Sequence, residues 1–260
     1  MNIGYLGFGQ MGSAIAEGLF HCSPEVKSGE ATQLAWAPHA EKLRSLARPL
    51  GVEACESAQE LVRRSDMVLL ACKPYQVEKA LAGLPLAGKA LVSIVTGWTH
   101  DRYEALLGDG VRVQYIMPNT PMKVGRGTVL LAEENSLAPE ERALLKKLLS
   151  SVATLIELPE EKIPAASAIS GCGPAFLYMV IEALGDAGVK NGLSRRQAYE
   201  LAAGTLIGAG EMVLRDAGAH PGALKDAVCS PGGTTIRGVA ALEEAGMRSA
   251  FIKAVDATLR

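Results

Sequence analysis

Short apolar runs alternate with amphipathic segments along the first 158 residues of the chain. The apolar runs predict strands at Asn2–Leu6, Thr32–Trp36, Met67–Cys72, Ala90–Val95, Val111–Ile116 and Thr128–Ala132. The amphipathic segments predict helices at Met11–Phe20, Ala40–Ala47, Ser57–Arg64, Arg102–Leu107 and Ala138–Ser150. Because the runs are continuous rather than alternating, we expect strands that are buried on both faces. The order of elements predicts an α/β domain with a parallel sheet covered by helices on both sides.

The periodicity becomes entirely helical after about residue 158. Helices are predicted at Ala175–Asp186, from the cap Ser194 to Asp216, from Pro221, from near Thr235 and at Arg248–Leu259. This change of pattern places a boundary near Pro159. We therefore predict an α/β domain over residues 1–158 and an all-helical domain over residues 159–260.

The long helix after Ser194 contains three interior glycines, Gly204, Gly208 and Gly210. Each costs about 1 kcal/mol relative to alanine in a helix. Together with neighbouring alanines they form a smooth surface that another helix can approach closely. A domain of roughly a hundred residues buries only a small core, which favours a second subunit as the partner of this surface. A tight contact within the chain is the alternative.

Composition narrows the class of protein. The chain has 260 residues, a formal net charge of −2 and no basic run, so neither nucleic acid nor an anionic membrane is expected as a partner. The five cysteines are scattered without a Cys-x-x-Cys pair, which argues against a disulfide framework or structural zinc. No uninterrupted run approaches the roughly 18 apolar residues of a membrane span. The glycine-rich start is unlike a signal peptide, and we expect a cytoplasmic protein.

A glycine-rich turn directly follows the first predicted strand. It reads Gly7-Phe8-Gly9-Gln10-Met11-Gly12 and opens the first predicted helix. In this pattern the first glycine makes the tight turn, the second lets the backbone approach a pyrophosphate, and the third allows helix and strand to pack closely. The helix N-terminus supplies unpaired N–H groups and the positive end of a dipole. This context predicts a Rossmann-type, doubly wound sheet that binds a dinucleotide at these six residues.

The end of the second strand bears on the choice between NADH and NADPH. A carboxylate there would bind the ribose hydroxyls and repel a 2′-phosphate. The loop Trp36–His39 contains no acidic side chain, and two cations, Lys42 and Arg44, follow it. NADPH is therefore favoured, with NADH as the substitute, although the cations also fit a solvated helix face. The residues expected to contact the cofactor here are Ala37, Pro38, His39 and Lys42.

Three further loops follow predicted strands, at the edge of the sheet where ligands bind in folds of this kind. They read Ala71-Cys72-Lys73-Pro74, Thr96-Gly97-Trp98-Thr99 and Met117-Pro118-Asn119-Thr120-Pro121. Each combines a sharp Gly or Pro feature with a polar group, and each taken singly is equally typical of an ordinary turn. The residues predicted to line the cofactor are Ala71, Cys72, Lys73, Pro74, Thr96, Gly97 and Asn119.

In the helical domain, two glycines precede a predicted helix in Ser230-Pro231-Gly232-Gly233-Thr234-Thr235. The unpaired N–H groups and hydroxyls there suit a small carboxylate. The alternative is an ordinary helix start with Thr as the N-cap. The four histidines are isolated and no metal-ligand or Ser/His/Asp spacing occurs, so no metal is predicted. The chemistry is therefore expected to come from the cofactor.

Together these motifs resemble the pyrroline-5-carboxylate reductase family over almost the whole chain. The likeness includes the glycine turn, the loops at residues 71–74 and 118–121, and the segment Ser170–Phe176. The most specific stretch is His220–Gly222 with Leu224–Ile236, which contains the predicted carboxylate turn.

The resemblance implies an oxidoreductase that reduces the C=N bond of 1-pyrroline-5-carboxylate to L-proline with NADPH, the last step of proline biosynthesis. It also implies homodimers or larger homo-oligomers formed through the helical domain. It assigns the substrate to Ser230, Gly233, Thr234 and Thr235. The Thr235 hydroxyl would contact the ring nitrogen and is the predicted catalytic group.

Several positions depart from the family pattern, and they bear on cofactor preference and affinity more than on reaction class. They are Pro38 in place of an arginine, Ala58 and Ala227 in place of asparagines, Gly204 in place of a glutamine, and Gly218, which leaves no acidic side chain before His220.

Two alternatives stay open. A related imine reductase or hydroxyacid dehydrogenase would carry a lysine or aspartate proton donor on the long interdomain helix, whereas Glu182 is the only charged residue of that predicted helix before Asp186. A non-catalytic NADP sensor would have no need of the Ser230–Thr235 turn.

Overall fold

The computed structural model describes residues 1–108, 110–216 and 218–259. The chain forms two compact units, Met1–Gly171 and Cys172–Arg260. The first unit extends past the predicted boundary at residue 158, because a helix at Ile163–Ser170 packs on the sheet. Ile163 is buried there in one apolar cluster with Leu130 and Ala132. Residue 158 is thus the end of the last strand, whereas the compact unit ends at Gly171.

An eight-stranded sheet forms the centre of the first unit. Its strand order is β3-β2-β1-β4-β5-β6-β7-β8, and all neighbours are parallel except β6 and β7, which are antiparallel. The prediction of a wholly parallel sheet is therefore wrong at β7. The strands are β1 (Asn2–Leu6), β2 (Thr32–Trp36), β3 (Glu53–Ala54), β4 (Met67–Leu70), β5 (Ala90–Ser93), β6 (Arg112–Pro118), β7 (Gly127–Asn135) and β8 (Ala153–Leu158).

Eight helices belong to this unit among its described residues. They are α1 (Gln10–Cys22), α2 (Pro24–Ser28), α3 (Ala40–Ala47), α4 (Ala58–Arg64), α5 (Val77–Leu81), α6 (His100–Leu107), α7 (Pro139–Ser150) and α8 (Ile163–Ser170). Helices α1, α3 and α7 bury their apolar faces on one side of the sheet, and α4, α5 and α6 on the other. Along β4, Met67 and Leu69 face the first layer while Val68 and Leu70 face the second. This confirms strands that are buried on both faces.

The second unit contains only helices among its described residues. They are α9 (Gly173–Lys190), α10 (Arg195–Arg215), α11 (Pro221–Ala227), α12 (Thr234–Glu244) and α13 (Met247–Thr258). Helices α9 and α10 pack closely: a Cβ on Gly188 would lie 2.8 Å from the Cβ of Ala198, and one on Gly185 would overlap the Tyr199 ring.

The interior glycines of α10 lie elsewhere. A Cβ added to Gly204, Gly208 or Gly210 would meet no atom within 4 Å. A tight contact within the chain therefore does not explain these glycines. The large apolar side chains Met179, Leu201, Ile207 and Met212 are also exposed, from 59% to 68%.

Residues 160–190 form a helical stretch that is long and apolar enough, by length and composition, to cross a membrane. The stretch was not predicted from sequence, because polar residues interrupt its apolar run. Glu182 and Asp186 lie within the stretch, which is mostly exposed in the single chain. Exposure of such a helix is also what an unoccupied subunit interface produces.

Candidate functional site

The three glycines of the turn at the end of β1 differ in the space around them. Gly7 has φ +99°, and a Cβ there would lie 2.5 Å from the carbonyl oxygen of Ala71. A Cβ on Gly12 would lie 2.7 Å from the carbonyl oxygen of Gly7. A Cβ on Gly9 would meet nothing within 4 Å. The protein's own packing therefore explains Gly7 and Gly12, while Gly9 borders the open space where a pyrophosphate would lie.

The N-terminus of α1 is available to an anion. Its N-cap is Gly9, no side chain caps it, and no acidic residue lies in its first turn. The first N–H groups of a helix have no partner within the helix, and they attract phosphate. Phe8, by contrast, is 3% exposed and packs edge-on against Tyr5. Only the backbone of Phe8 can therefore serve a cofactor, whereas the Gln10 side chain is exposed.

Backbone hydrogen bonds join three strand ends around this turn. Gly7 N–H donates to Trp36 O and Ala71 N–H donates to Leu6 O, both over 2.9 Å. The loops after β1, β2 and β4 therefore meet at one edge of the sheet. These are the carboxyl ends of parallel strands, where doubly wound sheets bind their ligands.

A cavity of about 360 Å³ opens at the end of β2. Its size suits part of a small ligand. The predicted residues Ala37 and Pro38 line it, but His39 and Lys42 do not. The lining residues are Trp36, Ala37, Pro38, Ala40, Leu43, Arg44, Ala54, Cys55 and Glu56.

The loops after β4 and β5 are joined by Trp98. Its indole N–H donates to the carbonyl oxygen of Pro74 over 3.1 Å, and its ring is 3% exposed. The Arg102 guanidinium lies 3.9 Å from the centroid of that ring. The sequence alone placed Trp98 in the loop after β5 without assigning it a role. The signal in the sequence is a tryptophan directly after a glycine, because glycine accepts the positive φ (+77° at Gly97) that turns the chain back towards a neighbouring loop.

Cys72 and Lys73 differ in their surroundings. Burial raises the pKa of the Cys72 thiol to about 11, so the thiol is protonated at neutral pH and is a poor nucleophile. The Lys73 side chain is exposed, and its backbone N–H donates to the Gln76 side chain over 3.1 Å. This hydrogen bond fixes the 3-10 turn at Pro74–Gln76 that follows β4.

Asn119 has a structural position. It is 7% exposed, and its amide nitrogen donates to Ser170 O over 2.9 Å. Its amide oxygen accepts the N–H of Thr128 over 2.9 Å. Asn119 thus links the end of β6 to the start of β7 and to the last residue of α8. Both of its polar side-chain atoms are engaged in protein contacts, so the side chain has a structural role in this unit.

The Ser230–Thr235 turn leads into α12 without a side-chain cap, so the alternative of a threonine N-cap is wrong. The N-cap of α12 is Gly233, with no side-chain cap, and Thr234 is the first helical residue. Gly232 has φ +69°, and a Cβ on Gly233 would overlap the Ser230 hydroxyl. Ser230, Thr234 and Thr235 are exposed. The uncapped N–H groups at the start of α12 therefore lie beside three hydroxyls.

Two of the histidines make contacts within the protein. His220 caps α11, since its Nδ1 accepts the Gly222 N–H over 3.1 Å. His100 lies with Asp101 and Glu104, and their ligand atoms are within 4.8 Å of one another. This is a group that sequence spacing did not predict. Both acids are exposed at the start of α6, and exposed acidic groups of this kind are common without a metal.

The predicted residues thus fall into two sets. The cofactor residues, from Gly7 to Asn119, lie in the first compact unit, and the Ser230–Thr235 turn lies in the second.

Comparison with known proteins identifies both halves of the chain. Residues 160–260 match a family model described as pyrroline-5-carboxylate reductase dimerisation. Residues 2–97 match one described as NADP oxidoreductase, coenzyme F420-dependent.

Full-length relatives are similar throughout. A pyrroline-5-carboxylate reductase of Treponema pallidum (strain Nichols) is 44% identical, over 100% of this chain and 99% of that protein. The enzyme of the same name from Escherichia coli (strain K12) is 38% identical, over 97% of this chain and 94% of its own. The crystal structure of Plasmodium falciparum pyrroline carboxylate reductase with NADP bound is 31% identical, with a TM-score of 0.85. That match covers 100% of this chain and 96% of the other.

Proposed function

The chain belongs to the pyrroline-5-carboxylate reductase family, and from this premise we propose how its own residues carry out the family reaction. The protein is an NADP-linked oxidoreductase that reduces 1-pyrroline-5-carboxylate to L-proline in proline biosynthesis. The observation that supports the assignment best is the pair of uncapped helix N-termini. One lies in the glycine turn of the first unit and the other in the Ser230–Thr235 turn of the second.

The residues around α1 fit a dinucleotide. Gly9 leaves open space beside uncapped N–H groups, and the remaining cofactor residues belong to the loops at the ends of β2, β4, β5 and β6. When bound, NADPH supplies the hydride. The role of the protein here is to bind the phosphates at Gly9–Gly12 and to orient the nucleotide along the strand ends.

The turn before α12 is proposed to hold the substrate carboxylate. The proposed donors are the Ser230 hydroxyl and the N–H groups of Thr234 and Thr235, and no acidic residue lies in the first turn of α12. The Gly233 N–H donates to Ser230 O over 3.0 Å and closes the turn that presents them. A helix N-terminus binds a carboxylate by the same donors and dipole that bind phosphate. The substrate is thereby oriented by its charged group, which leaves its ring free for the cofactor.

The proposed catalytic contact is modest. A protonated imine is already electrophilic, so its reduction needs proximity and a stabilised nitrogen rather than a strong acid. The exposed Thr235 hydroxyl beside the carboxylate turn is a suitable hydrogen-bond partner for that nitrogen. This chemistry does not require the histidines, one of which, His220, is engaged as a helix cap.

The helical domain joins copies of the chain into a homo-oligomer. We propose that the exposed apolar faces of α9 and α10, including Met179 and Ile207, are covered by a second copy rather than by lipid or nucleic acid. We also propose a cytoplasmic location, since all five cysteines are free thiols, as in reducing compartments.

The direct test is oxidation of NADPH by the purified protein with 1-pyrroline-5-carboxylate, beside parallel reactions with NADH and with a panel of keto acids. Rapid oxidation with the cyclic imine alone is expected. Oxidation with a keto acid but not with the imine would instead assign the chain to a hydroxyacid dehydrogenase activity.

A further inference from the structure

One basic and one acidic side chain line the cavity at the end of β2. Arg44 is its basic side chain and Glu56 its acidic one, and its other lining residues are uncharged. Pro38, in the loop that follows β2, contributes no charge. Neither Arg44 nor Glu56 forms a side-chain ion pair with another residue in the described ranges. The cavity therefore contains an unpaired guanidinium and an unpaired carboxylate.

The geometry of α3 decides which cation faces the cavity. Leu43 and Ala47 are buried and fix the orientation of the helix against the sheet. Ala40 and Arg44 are four residues apart, on one face, and both line the cavity. Lys42 lies about 200° around the helix from Ala40, since successive residues turn by about 100°. Lys42 is exposed and does not line the cavity.

We infer that Arg44, together with Glu56, sets the cofactor preference of this reductase: Arg44 binds the 2′-phosphate of NADPH, and Glu56 opposes it. The inference rests on the proposed function only in placing NADPH at this strand edge. A guanidinium offers a planar set of donors that matches phosphate oxygens. In this chain the cation comes from the second turn of α3, because the loop before the helix carries Pro38 and no cation. The Glu56 carboxylate is a like charge to the phosphate and a potential acceptor for a ribose hydroxyl.

The test uses adenosine 2′,5′-bisphosphate and adenosine 5′-monophosphate, which share every group except the 2′-phosphate. Isothermal titration of the intact oligomer with each compound measures the contribution of that phosphate. We expect Arg44→Ala to weaken binding of the bisphosphate by about ten- to hundredfold, which is the usual contribution of a charge-assisted hydrogen bond. Binding of the monophosphate should weaken by less than about twofold. Glu56→Gln is expected to strengthen binding of the bisphosphate relative to binding of the monophosphate.

Arg48→Ala is the matched control. It removes the same side chain just beyond α3, from an exposed position that does not line the cavity, so both affinities should stay at the wild-type values. Lys42→Ala tests the competing assignment. Loss of discrimination in Lys42→Ala instead of Arg44→Ala, or an unchanged ratio in Arg44→Ala, would overturn the inference. Circular dichroism of each variant checks that it is folded.

Kinetics separate this inference from the proposed function. Arg44→Ala should raise KM for NADPH while leaving kcat/KM for NADH with 1-pyrroline-5-carboxylate near the wild-type value. A wild-type protein that discriminates the two nucleotides through Arg44 but fails to reduce the imine would refute the proposed reaction and leave the Arg44 assignment intact.

Discussion

Replacing Asn119 by alanine is expected to destabilise the first compact unit by about 2–4 kcal/mol. The side chain is 7% exposed and makes two hydrogen bonds of 2.9 Å, to Ser170 O and from the Thr128 N–H. Each such bond contributes about 1 kcal/mol net, and a buried partner left unsatisfied costs about 1–3 kcal/mol. The total therefore comes from two lost bonds and from incomplete solvation of the two groups that remain.

Urea unfolding followed by tryptophan fluorescence measures this loss, because Trp36 and Trp98 both lie in the first unit. The midpoint should fall while the m-value stays constant, as expected for a change in stability alone. Asn135→Ala is the control: its amide donates to Glu133 O on the exposed surface, and it should change stability by less than about 0.5 kcal/mol. An equally small effect of Asn119→Ala would refute the bridging role. It would favour the earlier prediction that the Asn119 side chain contacts the cofactor.

Three further changes test the other parts of the site and of the fold. Thr235→Ala should lower kcat for the imine while the Kd for NADPH stays unchanged, and unaltered kinetics would remove this hydroxyl from the reaction. Gly9→Asp should abolish NADPH binding in a fluorescence titration, because it places bulk and negative charge where the pyrophosphate is expected; normal binding would contradict that placement. Glu25→Gln should reduce stability at neutral pH. Hydrogen bonds from Lys147 and then Ser23 lower the pKa of Glu25 to about 2. The carboxylate is therefore stabilising above about pH 4.5, and the difference between wild type and variant should vanish as the pH falls from there towards 2; a pH-independent difference would oppose this account.

The strands that sequence predicted are those whose burial leaves a continuous apolar run, such as β4, which is buried at all four residues. The two that it missed lie at the edges of the sheet. Strand β3 is only two residues long, and none of the six residues of β8 is fully buried. The antiparallel direction of β7 was also beyond prediction, because an apolar run has the same composition in either direction.

The site, too, has parts that could be predicted from the sequence and parts that could not. The constraints on Gly7 and Gly12 follow from sequence, because each glycine meets a close backbone approach that the spacing predicts. The role of Gly9 stays a prediction, since no atom of the protein lies near the position of its missing Cβ. The direction of a side chain is harder to predict, since it depends on the phase of its helix. From the sequence alone, Lys42 and Arg44 are equally suitable as the cation that binds a phosphate. The buried residues Leu43 and Ala47, already visible in the sequence as the apolar positions of α3, were the signal that separates them.

The environment of the glycines in the helical unit could not be predicted from the sequence. Among its described residues only Gly185, Ala198 and Ala202 are buried, so the unit has almost no core of its own. Burial of apolar surface is the main favourable term in folding, and here that surface lies on the outside of the single chain. The open space around Gly204 and Gly208 is part of the same exposed surface. We therefore expect folding of this unit to be coupled to association, so that its stability rises with protein concentration.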